Sequence, residues 1–373
     1  MHTQKKFMKR SILSFVIISL FSFAAKAQDS AFSLKGKLEK IKTGTIYLSI
    51  YEDAKTLKDS TTIKNGNFEF SGYVRSPFFA SLTMPEKRDD YFTFYIEPAD
   101  IKISGRADAL KTLVIKGSGI NDDDKILRDR MKAIFKWEAA NSKIYEQAYK
   151  EKNKHLMDSL DEVDFAVMAQ KRKIVASFIK DYPKSMRGAM AITENYSYYA
   201  EASDVEPLYN LLHDEIKNSP KGREIKKMID VYASVAIGKV APDITQFTPD
   251  SSSLSLSSLK GKYVLLDFLA SWCGPCRREN PNIVAAYNRF KDKGFTVFGV
   301  SYDSKKDRWL KAIADDHLDW QQVSDLQGWQ NATSAQYGIK AIPSNILLDQ
   351  NGVIVAKNIF GKKLVDKLGE LLK

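Results

Sequence analysis

Two cysteines, Cys273 and Cys276, are the only ones in the 373-residue sequence, and they sit two residues apart in Trp272-Cys273-Gly274-Pro275-Cys276. A dithiol at this spacing can close and reopen as a disulfide, so it can carry two electrons reversibly. The attacking species is the thiolate, and the elements around the pair decide which sulfur ionises first. Residues 263–270, Tyr-Val-Leu-Leu-Asp-Phe-Leu-Ala, form a nearly continuous apolar run of strand length, which predicts a strand buried on both faces. Residues 275–291 read as a helix with proline near its start and apolar positions at Ile283, Val284, Ala286 and Phe290. Cys273 therefore falls at a strand-to-helix turn, and both thiols lie at a helix N-terminus, whose dipole favours an anion. Cys273 is expected to attack, with Cys276 close enough to displace it from a mixed disulfide.

Other uses of a C-x-x-C fit less well. Covalent haem attachment needs His after the second cysteine, where Arg277 stands. Structural zinc needs four Cys or His ligands, and the four histidines offer no second pair at ligand spacing; His155 and His213 have no acidic or cysteine partner nearby in sequence. A purely structural disulfide would close so short a loop that it would stabilise little. No metal or cofactor is expected. Asp267 is the one charge in the buried run, and desolvation is expected to raise its pKa toward the range where it exchanges a proton with Cys276.

The pattern extends beyond the pentapeptide. Val240-Ala241-Pro242-Asp243, Asp267 within the buried strand, Pro281 inside the helix, Tyr337-Gly338-Ile339 and Ile342-Pro343-Ser344 together resemble the thioredoxin superfamily, most closely the periplasmic TlpA/ResA-like thiol-disulfide oxidoreductases. The resemblance covers residues 238–373. It implies an α/β thioredoxin-like domain acting on protein disulfide clients and supplied by an as yet unidentified electron-donor thiol protein. It further implies a cis Pro343 facing the redox pair, Asp267 as the buried acid that handles the resolving thiol's proton, and Trp272 and Ile342 as client contacts, Ile342 through its backbone. Many relatives in this branch carry Asn at the position of Asp267. Peroxidase chemistry on a related fold is disfavoured because Ala270 replaces the Thr that precedes that family's reactive cysteine by three. Gly-Pro between the cysteines matches reducing thioredoxin, with a potential of about −270 mV against about −120 mV for a strong periplasmic oxidant. Reduction is the favoured direction, with oxidation or isomerisation as the alternative.

Lys5, Lys6, Lys9 and Arg10 precede an apolar stretch at 11–23, followed by Ala25-Lys26-Ala27. This is the pattern of a secretory signal peptide at 1–27, and the stretch is shorter than the ~20 residues a spanning helix needs. No stable membrane span is expected after cleavage, no cysteine offers a lipid anchor, and the location expected is periplasmic. Loss of Lys5, Lys6, Lys9, Arg10 and Lys26 takes the formal charge from +11 to about +6. An excess of that size on a large exported chain reads as a solvated surface, so no nucleic-acid partner is expected.

Residues 28–118 alternate as β-strands, with Asn65-Gly66 as a two-residue hairpin turn, and predict an all-β sandwich resembling the accessory domain found ahead of thioredoxin domains in Bacteroidetes proteins. Its aromatics Phe78, Phe79, Tyr91, Phe92, Phe94 and Tyr95 read mainly as core and cross-strand pairs; a ligand-binding role for the sandwich, with the redox pair secondary, is the alternative of a different class. Residues 119–237 read as a helical connecting region, with Asn121 to Asp124 offering caps, apolar stripes through Leu127, Met131 and Ile134 and through Val167, Ile174 and Phe178, and breaks at Pro183 and Pro220. From 238 the α/β pattern returns: strands at 295–301, 343–349 and 353–359, helices at 305–315 and 362–372, and an insertion carrying Trp320, Trp329 and Tyr337.

Overall fold

The computed structural model describes residues 30–52, 55–85 and 89–373. The expected signal peptide at 1–27 lies outside the described residues. The chain divides into two compact units between Gly117 and Ser118.

The first unit holds β1 (Ser30–Glu39), β2 (Thr43–Glu52), β3 (Lys55–Lys64), β4 (Asn67–Val74), β5 (Phe78–Thr83), β6 (Phe92–Ile96), β7 (Asp100–Arg106) and β8 (Val114–Lys116). Their order is β6-β5-β2-β3-β4-β1-β7-β8. Strands β2 and β3 pair along their whole length, and β1 pairs with β4 from Ser30 to Lys37, but β3 and β4 are in register only at Lys64↔Asn67. The sheet is thus two four-stranded halves hinged at one hairpin. Ile46, Leu48, Leu82 and Phe94 of one half share a core with Leu34, Phe70, Ile101 and Ile103 of the other, which is the sandwich arrangement the alternation predicts. At the hinge Asn65 and Gly66 both have positive φ, 49° and 79°, as the tight turn demands. A Cβ on Gly66 would lie 2.4 Å from the carbonyl oxygen of Leu38, so glycine is required there on two counts. Phe78, Phe94 and Tyr95 are buried, while Phe79 is partly exposed and packs between Tyr51 and Tyr95 at 6.0 and 5.7 Å.

The second unit begins with helices α1 (Gly119–Lys150), α2 (Lys154–Asp181), α3 (Met186–Tyr196), α4 (Ala202–Leu211), α5 (Asp214–Lys217) and α6 (Pro220–Ser234). Leu127 and Met131 of α1 pack with Val175, Phe178 and Ile179 of α2, and Ile192, Val205, Ile225 and Ile229 complete the core. The expected caps at 121–124 lie inside α1, whose N-cap is Ser118. Asp124 is drawn inward instead, because Arg187 of α3 and Arg128 each pair with it at 2.7 Å. Pro220 starts α6, with Ser219 capping Gly222 N–H, so the expected break is a helix start.

The same unit continues with β9 (Thr245–Phe247), β10 (Ser253–Ser255), β11 (Tyr263–Leu269), α7 (Gly274–Phe290), β12 (Phe295–Ser301), α8 (Lys306–Asp315), β13 (Gln321–Val323), α9 (Ala332–Tyr337), β14 (Ser344–Leu348), β15 (Ile354–Lys357) and α10 (Lys362–Leu371). The main sheet runs β13-β12-β11-β14-β15. β11, β12 and β13 are parallel, β14 is antiparallel to β11, and β15 is antiparallel to β14. β11 lies at the centre, which is why its sequence is apolar on both faces. The helices do more than connect along the chain: Lys357 of β15 pairs with Glu201, just ahead of α4, at 2.8 Å. Among the described residues no helix is long and apolar enough to cross a membrane.

Candidate active site

The turn from β11 into α7 is tied at both ends. Asp303, buried just past β12, accepts from the backbone N–H of Ser271 at 2.9 Å, from its hydroxyl at 2.5 Å and from the hydroxyl of Ser301 at 2.8 Å. Asp316, past the end of α8, accepts from Arg277 at 2.7 Å and Asn280 at 2.6 Å, which fixes the first turns of α7. Cys273 is the N-cap of α7, and its Sγ accepts from the backbone N–H of Cys276 at 3.1 Å. The two sulfurs are joined in a disulfide with an S–S length of 2.02 Å and a Cα–Cα separation of 5.3 Å.

Both cysteines lie at the helix N-terminus, yet Cys273 is only 4% exposed and Cys276 1%. Both belong to the apolar core of the α/β part. The exposed surface beside them is aromatic. Trp272 is 50% exposed and lies 6.0 Å from the ring of Trp329, itself 46% exposed and 5.3 Å from Tyr302. The other two aromatics of the insertion pack inward, Trp320 on Tyr287 and Tyr337 on Phe268.

The peptide bond between Ile342 and Pro343 is cis. The register Phe268↔Ser344 sets Pro343 at the same end of β11 as the turn to Cys273, and Ile342 packs partly buried against the core that holds both sulfurs. The carbonyl of Pro343 accepts from the hydroxyl of Tyr199 at 2.8 Å. Tyr199 sits between α3 and α4 with φ 50°, packs on Phe165 of α2 at 5.5 Å, and burial pushes its hydroxyl up to about 12.

Asp267 lies mid-β11 between Gly299 of β12 and Asn345 of β14 in register. Burial, with the negative charge of Glu279 adding, pushes its carboxyl up to about 7. Glu279 itself accepts from Gly361 N–H and from Asn282, each at 2.7 Å. One turn into α7, Arg278 donates to Asp161 of α2 at 2.5 Å and to the hydroxyl of Tyr145 of α1 at 3.3 Å.

β11 thus carries Asp267 within it and leads into the turn to Cys273 and Cys276, with the Ile342-Pro343 peptide at that same end of the strand. Tyr199 and Arg278 escaped the sequence reading because their partners stand more than a hundred residues away with no spacing pattern. Asp303 had a weak signal in Ser301-x-Asp303, directly after a buried strand.

A family model described as the AhpC/TSA family matches residues 237–357, and one described as a domain of unknown function (DUF4369) matches 32–123. The thioredoxin-like protein YneN of Bacillus subtilis is 35% identical over 120 residues, which are 31% of this chain and 68% of that protein. The thiol-disulfide oxidoreductase ResA of Oceanobacillus iheyensis is 31% identical over 134 residues, 35% of this chain and 68% of that protein. The chain belongs to the thioredoxin-like thiol-disulfide oxidoreductases. Membership makes the protein an enzyme of dithiol exchange, an activity that implies disulfide-bearing protein clients. Among solved structures, the thioredoxin domain of a thiol-disulfide oxidoreductase from Bacteroides vulgatus aligns with 38% of this chain and all of that domain, at 41% identity and a TM-score of 0.36.

Proposed function

We propose that this oxidoreductase is exported to the periplasm and reduces disulfides of envelope proteins. The observation that carries the reading is the Cys273 sulfur, capping α7 and receiving the Cys276 N–H at 3.1 Å, a setting that favours its thiolate over that of Cys276. In the reduced form the Cys273 thiolate attacks one client sulfur. The client S–S bond breaks, a mixed disulfide forms, and the client's other sulfur leaves as a thiolate that takes up a proton. Asp267 then accepts the Cys276 proton, and the Cys276 thiolate attacks Cys273 Sγ. The intramolecular disulfide closes, the client's second sulfur leaves as a thiolate that takes up a proton, and Asp267 gives up the proton it had accepted. Two electrons and two protons have passed to the client, and a donor thiol protein must return them.

In this reading Trp272 and the backbone of Ile342, beside Pro343, receive the extended client segment. Residues 28–118 serve as the accessory sandwich, 119–237 as the connecting helical region and 238–373 as the redox domain. Export is supported by the basic and apolar pattern of 1–27, with cleavage after Ala27.

Equilibration of the purified protein against defined dithiol buffers tests the direction. A potential near about −270 mV is expected, and one above about −200 mV would assign oxidation or isomerisation instead.

A further inference from the structure

A polar row crosses the middle of the sheet that carries Asp267. The register pairs are Asn345↔Asp267, Asp267↔Gly299 and Gly299↔Gln322, from β14 through β11 and β12 to β13. Residues paired directly across strands share a face. The side chains of Asn345, Asp267 and Gln322 therefore project to one side, with bare Gly299 between the last two.

That bare position is filled by the carboxamide of Gln322. A Cβ on Gly299 would lie 2.3 Å from Gln322 Oε1 and 2.7 Å from its Nε2, so the amide is laid over the neighbouring strand, on the Asp267 side of its own. Gln322 is 2% exposed, and neither atom of its carboxamide has a hydrogen-bond partner among the described residues. Asn345, by contrast, is satisfied through the carbonyl and N–H of Ile359 at 2.8 and 3.0 Å. A buried, unbonded amide is costly and calls for an explanation. Strands lie about 4.8 Å apart, so an amide seated on Gly299 is one strand spacing from the Asp267 row, a gap that one bridging water spans.

We propose that Gln322 is a positioning residue for the proton step: its carboxamide, seated on Gly299, donates to the carboxylate of Asp267 through one bridging water and favours the ionised form that accepts the Cys276 proton. This rests on Asp267 being the base of the proposed function. The charged group acting on Asp267 is Glu279 of α7, and two neutral amides, Asn345 of β14 and Gln322 of β13, lie in its row. Glu279 and burial both oppose ionisation, and Gln322 is the donor in a position to counter them.

The test is a carboxyl-carbon NMR titration of Asp267 in the reduced full chain. Gln322→Met keeps the length and removes the donor, and it is expected to raise the Asp267 midpoint by roughly one pH unit. The acid limb of the rate at which Cys276 resolves mixed disulfides should move the same way. Gly299→Ala, whose methyl displaces the amide while leaving Gln322 in place, should shift the midpoint in the same direction. An Asp267 midpoint unmoved in either folded variant overturns the proposal. The titration reads Asp267 whether or not it serves Cys276, whereas the kinetics of Asp267→Asn test that service, so the two failures are told apart.

Discussion

The hydroxyl of Tyr199 donates to the carbonyl of Pro343 at 2.8 Å, tying the segment between α3 and α4 to the residue just ahead of β14. Tyr199 is held for this contact in the left-handed region at φ 50°, a conformation that costs a non-glycine residue on the order of 1 kcal/mol. Its ring rests on Phe165, so the helical segment of the second unit reaches the loop proposed to receive the client. Tyr199→Phe keeps the ring and removes the donor. The expected loss of stability is ~1 kcal/mol. The KM for an oxidised client protein should rise several-fold while the equilibrium potential of the cysteine pair stays put. Equal KM values in the two proteins would detach Tyr199 from client binding.

Arg278 offers a second, independent tie. It bonds Asp161 and Tyr145, and burial pushes the Asp161 carboxyl up against the opposing pull of that guanidinium. Arg278→Ala leaves Asp161 half-buried without this cation. The expected outcome is local loosening of α2 by about 1–2 kcal/mol, discounted for the solvent that still reaches the pair. Native-state hydrogen exchange checks it: α2 amides should exchange faster while those of β11 keep their protection. Uniform protection in both proteins would show that the ion pair contributes nothing measurable.

Asp267 gives a pH dependence whose sign is fixed by its shift. Its carboxyl titrates at about 7 in the folded protein, against about 4 for an exposed aspartate. Between those values the unfolded chain has released a proton that the folded chain retains. Stability from this group is therefore complete below about pH 4 and falls as pH rises toward 7. Asp267→Asn should abolish that slope and be the more stable protein at pH 8, by on the order of 3–4 kcal/mol at most. The same substitution should slow resolution of the mixed disulfide near neutral pH on the order of 100-fold, because the proton acceptor is gone. Denaturant unfolding from pH 4 to 9 separates the outcomes, and parallel stability curves for the two proteins would place the titration elsewhere.

The elements around the cysteines were legible because their signals are local. The apolar run at 263–270 became β11 at Tyr263–Leu269, the proline-started helix became α7, and the strand at 295–301 became β12 with the same bounds. Asn65-Gly66 announced its turn because few other residue pairs tolerate two positive φ values. β13 left no trace: Gln321–Val323 has too few residues to show a period, and it is a strand only because β12 is there to pair with it. Gln322 was invisible for that reason, since its meaning comes from the bare glycine across the ladder. The caps at 121–124 misled because Asn and Asp favour helix starts in general, and only the fold reveals that Arg187 claims Asp124 from the side.

The central claim, that Cys273 attacks and Cys276 resolves, is tested most directly by trapping. Cys276→Ser and Cys273→Ser proteins are expressed in the native host, free thiols are blocked with acid quench, and disulfide-linked adducts are separated without reductant. Cys276→Ser is predicted to accumulate mixed disulfides through Cys273 that disappear on reduction, because the capping sulfur can attack but nothing remains to release it. Cys273→Ser is predicted to accumulate none, its remaining sulfur being the more deeply buried of the two. Adducts on Cys276 in the Cys273→Ser protein, with none on Cys273 in its counterpart, would contradict the assignment.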